Sequence, residues 1–221
     1  MKKDISILFL GKKNDAYTQK ALDFCLQNSS NVTAHLGTWG DPRPKDFSSW
    51  NGDYIISFLS RWIIPESLLK MARIAAINFH PAPPEYPGIG CNNFALYENA
   101  KLYGTTCHHM DPKVDTGAII AVKRFPISPD DTVSSLLEKT YTHQLELFYE
   151  ILTHIVSEKK LESSSEKWTR APYTRQEFNE LCRLTPDMSK EELSKRIRAT
   201  NFGTWKPTIE LHGFIFELKT K

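Results

Sequence analysis

Three short apolar runs limit what this 221-residue chain can fold into: "ISILFLG" near the start, "DYIISFLS" around residue 55, and "RIAAINFH" ending at His80. Each is continuous rather than alternating and too short for a core helix, the pattern of strands buried on both faces. "DAYTQKALDFCLQN" lies after the first run, with Ala16, Ala21, Leu22, Phe24, Cys25 and Leu26 weighted to one side, and reads as a helix ending near Asn28. "NVTAHLGTW" reads as a further strand, and "IPESLLKMA" as a helix opened by proline near its first position. Beyond His80, "GCNNFALYENA" reads as a helix and "GTTCHHMD" and "GAIIAVKRFPI" as strands. "TVSSLLEKTYTHQLELFYEILTHIVSE" is a long amphipathic helix capped by Asp130, Asp131 or Thr132. Strands alternating with helices predict an α/β domain with a mainly parallel sheet.

A polar connector, "EKKLESSSEKW", then changes the character of the chain. Past it, the spacing predicts a helix from about Ser189 to Ala199, with Ser189 and Glu192 in a capping-box pattern, and a hairpin "TIELHGFIFELK" turning at His212-Gly213. The expected organisation is a core over 1–160 and a small helix-plus-hairpin appendage over 161–221. A net charge of +2 without a basic stripe gives no nucleic-acid footprint. Cys25, Cys91, Cys107 and Cys182 are scattered, which suits neither a zinc knuckle nor a disulfide framework. No segment is apolar enough for a signal h-region or a bilayer span, so the expected location is the cytoplasm, with no membrane partner.

The most unusual stretch is "INFHPAPPEYPGIG", residues 77–90, where a strand ends in Asn78 and His80 above a loop of four prolines and two glycines. Strand periodicity puts the amide and the imidazole on one face. In open α/β sheets the ligand crevice lies beyond such strand ends. The loop "PKVDTG" offers a carboxylate, Asp115, that only the fold can bring near them. Together these three suit acyl transfer to an amine. Asn78 would donate to an oxyanion, His80 would donate to it or take the amine's proton, and Asp115 would orient the imidazole. The same residues also suit a purely structural role, an Asn holding a turn, a His capping it and an Asx turn at Asp115.

"IISFLSRWIIPESLL", "INFHPAPPEYPGIG" and "YGTTCHHMDPKVDTGAII", in this order, resemble the formyltransferases that use N10-formyltetrahydrofolate. The resemblance covers roughly residues 53–125, and "IRATNFGTWKPTIELHGFIFEL" is similar to the segment following the core in methionyl-tRNA and sugar formyltransferases. It implies a Rossmann-like sheet flanked by helices, with Asn78, His80 and Asp115 as the catalytic residues. It implies a pterin site at Arg61, Trp62, Ile63 and Ile64, continued by Lys113 and Val114, with no metal. Adjacent His108 and His109 point to opposite faces of a strand, which suits no metal either. His108 corresponds to a histidine often found after the "GxT" strand and joins Tyr86, Gly88, Phe202 and Trp205 as substrate-binding candidates. Glu85 stands where the family often carries a basic residue, so acceptor contacts there are expected to differ.

The amine is narrowed by what the sequence lacks. The turn "LGKKNDAY" has one glycine, unlike the phosphate loop expected of a glycinamide-ribonucleotide enzyme. About 60 residues follow the long helix, fewer than expected for the added domain of a methionyl-tRNA enzyme, and a formyltetrahydrofolate hydrolase would be expected to place a regulatory domain before its first strand. The resemblance is then to short bacterial enzymes that formylate a nucleotide-linked 4-amino-4,6-dideoxy sugar, commonly dTDP-linked, for surface polysaccharide. The family also implies a homodimer. A methionyl-tRNA enzyme, or a binding module without turnover, remains open.

Overall fold

The structure is a computed structural model and describes residues 2–203 and 205–219. Its elements are β1 (Lys3–Lys12), α1 (Ala16–Asn28), β2 (Ser29–Gly37), β3 (Gly52–Phe58), α2 (Glu66–Leu69), β4 (Ala72–His80), α3 (Cys91–Tyr97), β5 (Leu102–His109), β6 (Ile119–Pro126) and α4 (Val133–Val156). A short 3-10 turn, Lys45–Ser48, lies between β2 and β3. These are followed by α5 (Arg175–Cys182), β7 (Arg183–Leu184), α6 (Lys190–Thr200), β8 (Thr208–Leu211) and β9 (Phe214–Glu217). The main sheet runs β2-β1-β3-β4-β5-β6. Its first four strands are parallel, while β4–β5 and β5–β6 pair antiparallel. No described helix is long and apolar enough to cross a membrane.

Local chemistry sets the helix starts. Asp15 accepts from the Thr18 amide at the head of α1, and Thr132 exchanges bonds with Ser135 at the head of α4. Thr174 and Glu177 form the same reciprocal pair on α5, a helix not expected from the sequence. At α6 only half of the expected box forms. Ser189 caps the Glu192 amide, but the Glu192 carboxylate turns to Tyr97 (2.8 Å) and Arg196 (2.6 Å).

α1 and α4 cover one face of the sheet. Phe148 of α4 is fully buried against Phe58 (5.3 Å between centroids), Phe79 (5.1 Å) and Phe9 (6.3 Å). One turn away, Gln144 donates to the Phe79 carbonyl at 2.7 Å, fixing β4 at the residue between Asn78 and His80. Leu8, Leu10, Ile55, Ile64 and Leu68 fill a second cluster with Phe47. A third joins α3 to the chain's last third, with Phe94, Leu96 and Tyr103 packed among Tyr173, Phe178, Leu181 and Ala199. The hairpin β8–β9 turns at His212 (φ 52°) and Gly213 (φ 81°), as the sequence predicts.

Phe148 therefore supports the strand that carries the site. Phe148→Ala is expected to lower unfolding stability by about 3–5 kcal/mol, read as a shift in the urea midpoint at unchanged slope.

Candidate active site

The parallel β3–β4 register sets Asn78 beside Ser57, and the antiparallel β4–β5 register sets it opposite His108. Cross-strand partners share a face, and the Asn78 amide lies 3.1 Å from His108 Nε2. His108 Nδ1 is 2.7 Å from the His109 carbonyl. A carbonyl only accepts, so Nδ1 donates to it; in the neutral ring Nε2 then accepts from the Asn78 amide, and in the charged ring it donates toward Asp115. His80 stands between two acceptors. Its Nε2 donates to the Tyr86 carbonyl at 3.0 Å, and its Nδ1 faces Asp115 Oδ2 at 3.3 Å. The other Asp115 oxygen is 3.5 Å from His108 Nε2. One carboxylate thus stands between two imidazoles.

Two glycines allow this approach. Gly88 (φ 89°) donates its amide to Asp115 Oδ2 at 2.9 Å, and a Cβ there would meet the Tyr173 carbonyl oxygen at 2.5 Å. A Cβ on Gly117 would lie 1.8 Å from the His109 carbonyl oxygen, so only glycine lets the Asp115 loop fold onto the end of β5. Asp115 itself has φ 50°, a left-handed conformation that aspartate tolerates better than most residues.

His80, His108 and Asp115 are 4%, 2% and 5% exposed. Burial alone pushes the Asp115 carboxyl up. The charge of His80, the His108 hydrogen bond and charge, and the Gly88 amide outweigh burial and hold it at about 2.

Beside this cluster a cleft is lined by Ser57, Ser60, Trp62, Ile63, Ile64, Met110, Lys113 and Val114, with Asn78, His108 and Asp115 on its polar wall. Trp62 is held there by its indole N–H on the Asp41 carbonyl, 3.1 Å. The turn into this segment passes through Leu59, a buried residue at φ 54°. Five of the six residues expected at the pterin site meet here. Arg61 differs: with its side chain over the Trp39 ring (5.2 Å), it lines a second cleft with Asn92, Asn93, Arg175, Phe178, Phe202 and Trp205.

Phe202 and Trp205, expected from the sequence as substrate contacts, pair through reciprocal backbone bonds of 2.9 and 2.8 Å. The Arg175 guanidinium lies 5.3 Å from the Trp205 ring and 5.6 Å from Phe178. Tyr86 lies elsewhere. Its ring is buried and its hydroxyl donates to Glu98 at 2.8 Å, alongside Tyr173 at 3.1 Å, so the side chain braces the proline loop while its carbonyl holds His80. Glu85 pairs with Arg124 at 3.0 Å. Among the described residues no group of three or more His, Cys, Asp or Glu is arranged to hold a metal.

The sequence reading missed Trp39, Asn92, Asn93, Arg175 and Trp168. Asn92 and Asn93 did carry a signal, two adjacent amides in an otherwise apolar short helix. So did Arg175, a cation in the first turn of α5, where the helix dipole disfavours it.

Residues 45–152 match the formyl transferase family. Among curated relatives it is 26% identical over 166 residues to a GDP-perosamine N-formyltransferase of Brucella melitensis, covering 73% of this chain and 62% of the relative. It is 29% identical over 119 residues to a methionyl-tRNA formyltransferase of Enterococcus faecalis, 53% of this chain and 38% of the relative. The chain thus spans less than two thirds of the length of these relatives. The fold is shared with a 4-N formyltransferase from Francisella tularensis (TM-score 0.80, 16% identity, 99% of this chain and 98% of that one). It is shared too with an N-formyltransferase from Helicobacter canadensis solved with folinic acid and dTDP-3-aminofucose (TM-score 0.71, 19% identity, 95% and 85%).

The depressed Asp115 carboxyl has a consequence for acid stability. Its folded value lies below the ordinary 3.8, so its contribution is complete above that value and is lost as pH falls through about 2. At about 1.36 kcal/mol per pKa unit this is roughly 2 kcal/mol. Urea unfolding between pH 5 and pH 2 is expected to show that much more loss in the natural protein than in Asp115→Asn.

Proposed function

We propose that this chain transfers the formyl group of N10-formyltetrahydrofolate to the amine of a nucleoside-diphosphate-linked amino sugar, dTDP-linked, for surface polysaccharide. The observation that carries this reading is the first cleft, whose apolar wall of Trp62, Ile63, Ile64 and Val114 faces the polar wall of Asn78, His108 and Asp115. A flat pterin suits the apolar wall, and the formyl group then lies against the polar one. One Asn78 N–H is directed to His108, which leaves the second for the formyl oxygen as the carbon becomes tetrahedral. The proton shed by the amine enters the histidine–aspartate cluster, where His80 Nδ1 and His108 Nε2 both stand against a carboxylate.

The second cleft supports the choice of acceptor. Arg61 and Arg175 make no ion pair among the described residues, and both rest on tryptophan rings. Unpaired guanidinium groups beside aromatic faces suit a diphosphate and a base. Segment 60–64 then separates the two ligands, with Trp62, Ile63 and Ile64 toward the folate and Arg61 toward the nucleotide. The relatives named above for GDP-perosamine and dTDP-3-aminofucose support an amino sugar carried on a nucleotide. A homodimer is proposed through β9, an edge strand whose Phe214 (69%), Ile215 (70%) and Phe216 (52%) are exposed.

The test is to incubate the protein with N10-formyltetrahydrofolate and a panel of dTDP- and GDP-linked amino sugars, with methionyl-tRNA alongside, following tetrahydrofolate release and acceptor mass. Formylation of a sugar nucleotide is expected. Formylation of methionyl-tRNA alone would move the assignment to that acceptor, and a GDP-linked product alone would change the carrier. Asn78→Ala and His80→Ala are expected to lower kcat on the order of a hundred- to a thousand-fold. Arg175→Ala is expected to raise KM for the sugar nucleotide about tenfold without changing that for the folate.

A further inference from the structure

The stretch joining α4 to α5, which reads as a polar connector, runs back across the catalytic cluster as a strap. Its backbone is bonded at successive points to the start of β6 and to the proline loop. The Ser164 amide donates to the Ile119 carbonyl at 2.7 Å, and the Thr169 amide to the Pro84 carbonyl at 3.3 Å. Farther on, the Tyr173 amide donates to the Pro87 carbonyl at 2.9 Å. Arg124 ties the strap to the proline loop by pairing with both Glu166 (2.6 Å) and Glu85 (3.0 Å).

Between these points stands Trp168. Its indole N–H donates to the Gly117 carbonyl at 2.8 Å, two residues beyond Asp115. Its ring meets both imidazoles edge-to-face, His80 at 5.8 Å and 72° and His108 at 5.1 Å and 85°. This large apolar ring packs in none of the domain's three apolar clusters. What it covers is the His80–Asp115–His108 group.

We infer that the strap pinned by Trp168 is the wall that keeps water from this cluster, so that a bound formyl donor yields its formyl group to an amine and not to water. The inference rests on the formyl-transfer reading above. Water can use the same oxyanion donor and the same base as an amine. Its oxygen would bond to the formyl carbon, the carbon–N10 bond would break, N10 would keep the electron pair and take a proton, and formate and tetrahydrofolate would leave. Water vastly outnumbers any amine, so a site with this chemistry transfers efficiently only where water is excluded. On the side away from the first cleft the cluster is covered by this half-buried indole, itself anchored by a hydrogen bond.

The experiment follows formate and N-formyl product together, with donor and the best acceptor from the panel, in the natural protein, Trp168→Phe and Trp168→Ala. Trp168→Ala is expected to raise formate released per formyl group transferred by about tenfold or more, with KM for the donor changed less than about threefold. Trp168→Phe, which keeps a ring but loses the bond to Gly117, is expected to fall between the two and carries the test if the alanine variant does not fold. A residue that only stabilises the fold would lower both fluxes together. A formate-to-transfer ratio unchanged in both variants would overturn the inference while leaving the transfer reading intact. A natural protein that neither transfers nor releases formate would remove that reading, and this inference with it.

Discussion

Everything at this site depends on one buried carboxylate held between two imidazoles. Asp115 is as deeply buried as an apolar core residue, and a lone ionised carboxylate there would be costly. It stays ionised because three separate parts of the chain converge on it: His80 from the end of β4, the Gly88 amide from the proline loop, and His108 from β5. Breaking any one leaves a polar group buried without its partner, a larger penalty than the bond's net worth. The requirement explains the loop chemistry on either side. Gly88 and Gly117 are there because a side chain at either would push the backbone off the carboxylate.

The sheet supplies the register. Because β5 runs antiparallel to β4, His108 is a direct partner of Asn78, and a slip of one residue would turn His108 to the opposite face. Gln144 and Phe148 hold β4 from below at Phe79, so the residues on either side, Asn78 and His80, have little freedom. The strand end is thus preorganised by a helix far along the chain. The proline loop is fixed by a different group, Glu98 accepting from Tyr86 and Tyr173.

The strands were legible in the sequence because continuous apolar runs of this length have few other uses, and α4 was legible from its period and its Thr132 cap. Asn78, His80 and Asp115 were recognisable by motif, and the structure does bring them together with His108. The rest was less visible for physical reasons. α5 buries only Phe178 and Leu181, too few for a clear stripe. The outward turn of Arg61 follows from the path of residues 60–64, which composition does not encode. Tyr86 looked like a ligand contact because tyrosine beside prolines suggests an exposed loop, whereas Glu98 draws it inward. The strap was read as a solvated connector because its contacts run largely through backbone amides, which any sequence of polar residues can supply. Trp168 is the lone aromatic in "ESSSEKW", and nothing in that composition shows what its ring covers.

Backbone carbonyls fix one nitrogen of each imidazole, leaving the other facing Asp115. Long-range proton–nitrogen correlation NMR of the nitrogen-15-labelled protein tests this most directly, since ring-nitrogen shifts report which nitrogen bears the proton. In the neutral rings the proton is expected on His80 Nε2, held by the Tyr86 carbonyl, and on His108 Nδ1, held by the His109 carbonyl. A neutral ring with its proton on His80 Nδ1 or on His108 Nε2, or rings averaging between tautomers, would contradict it.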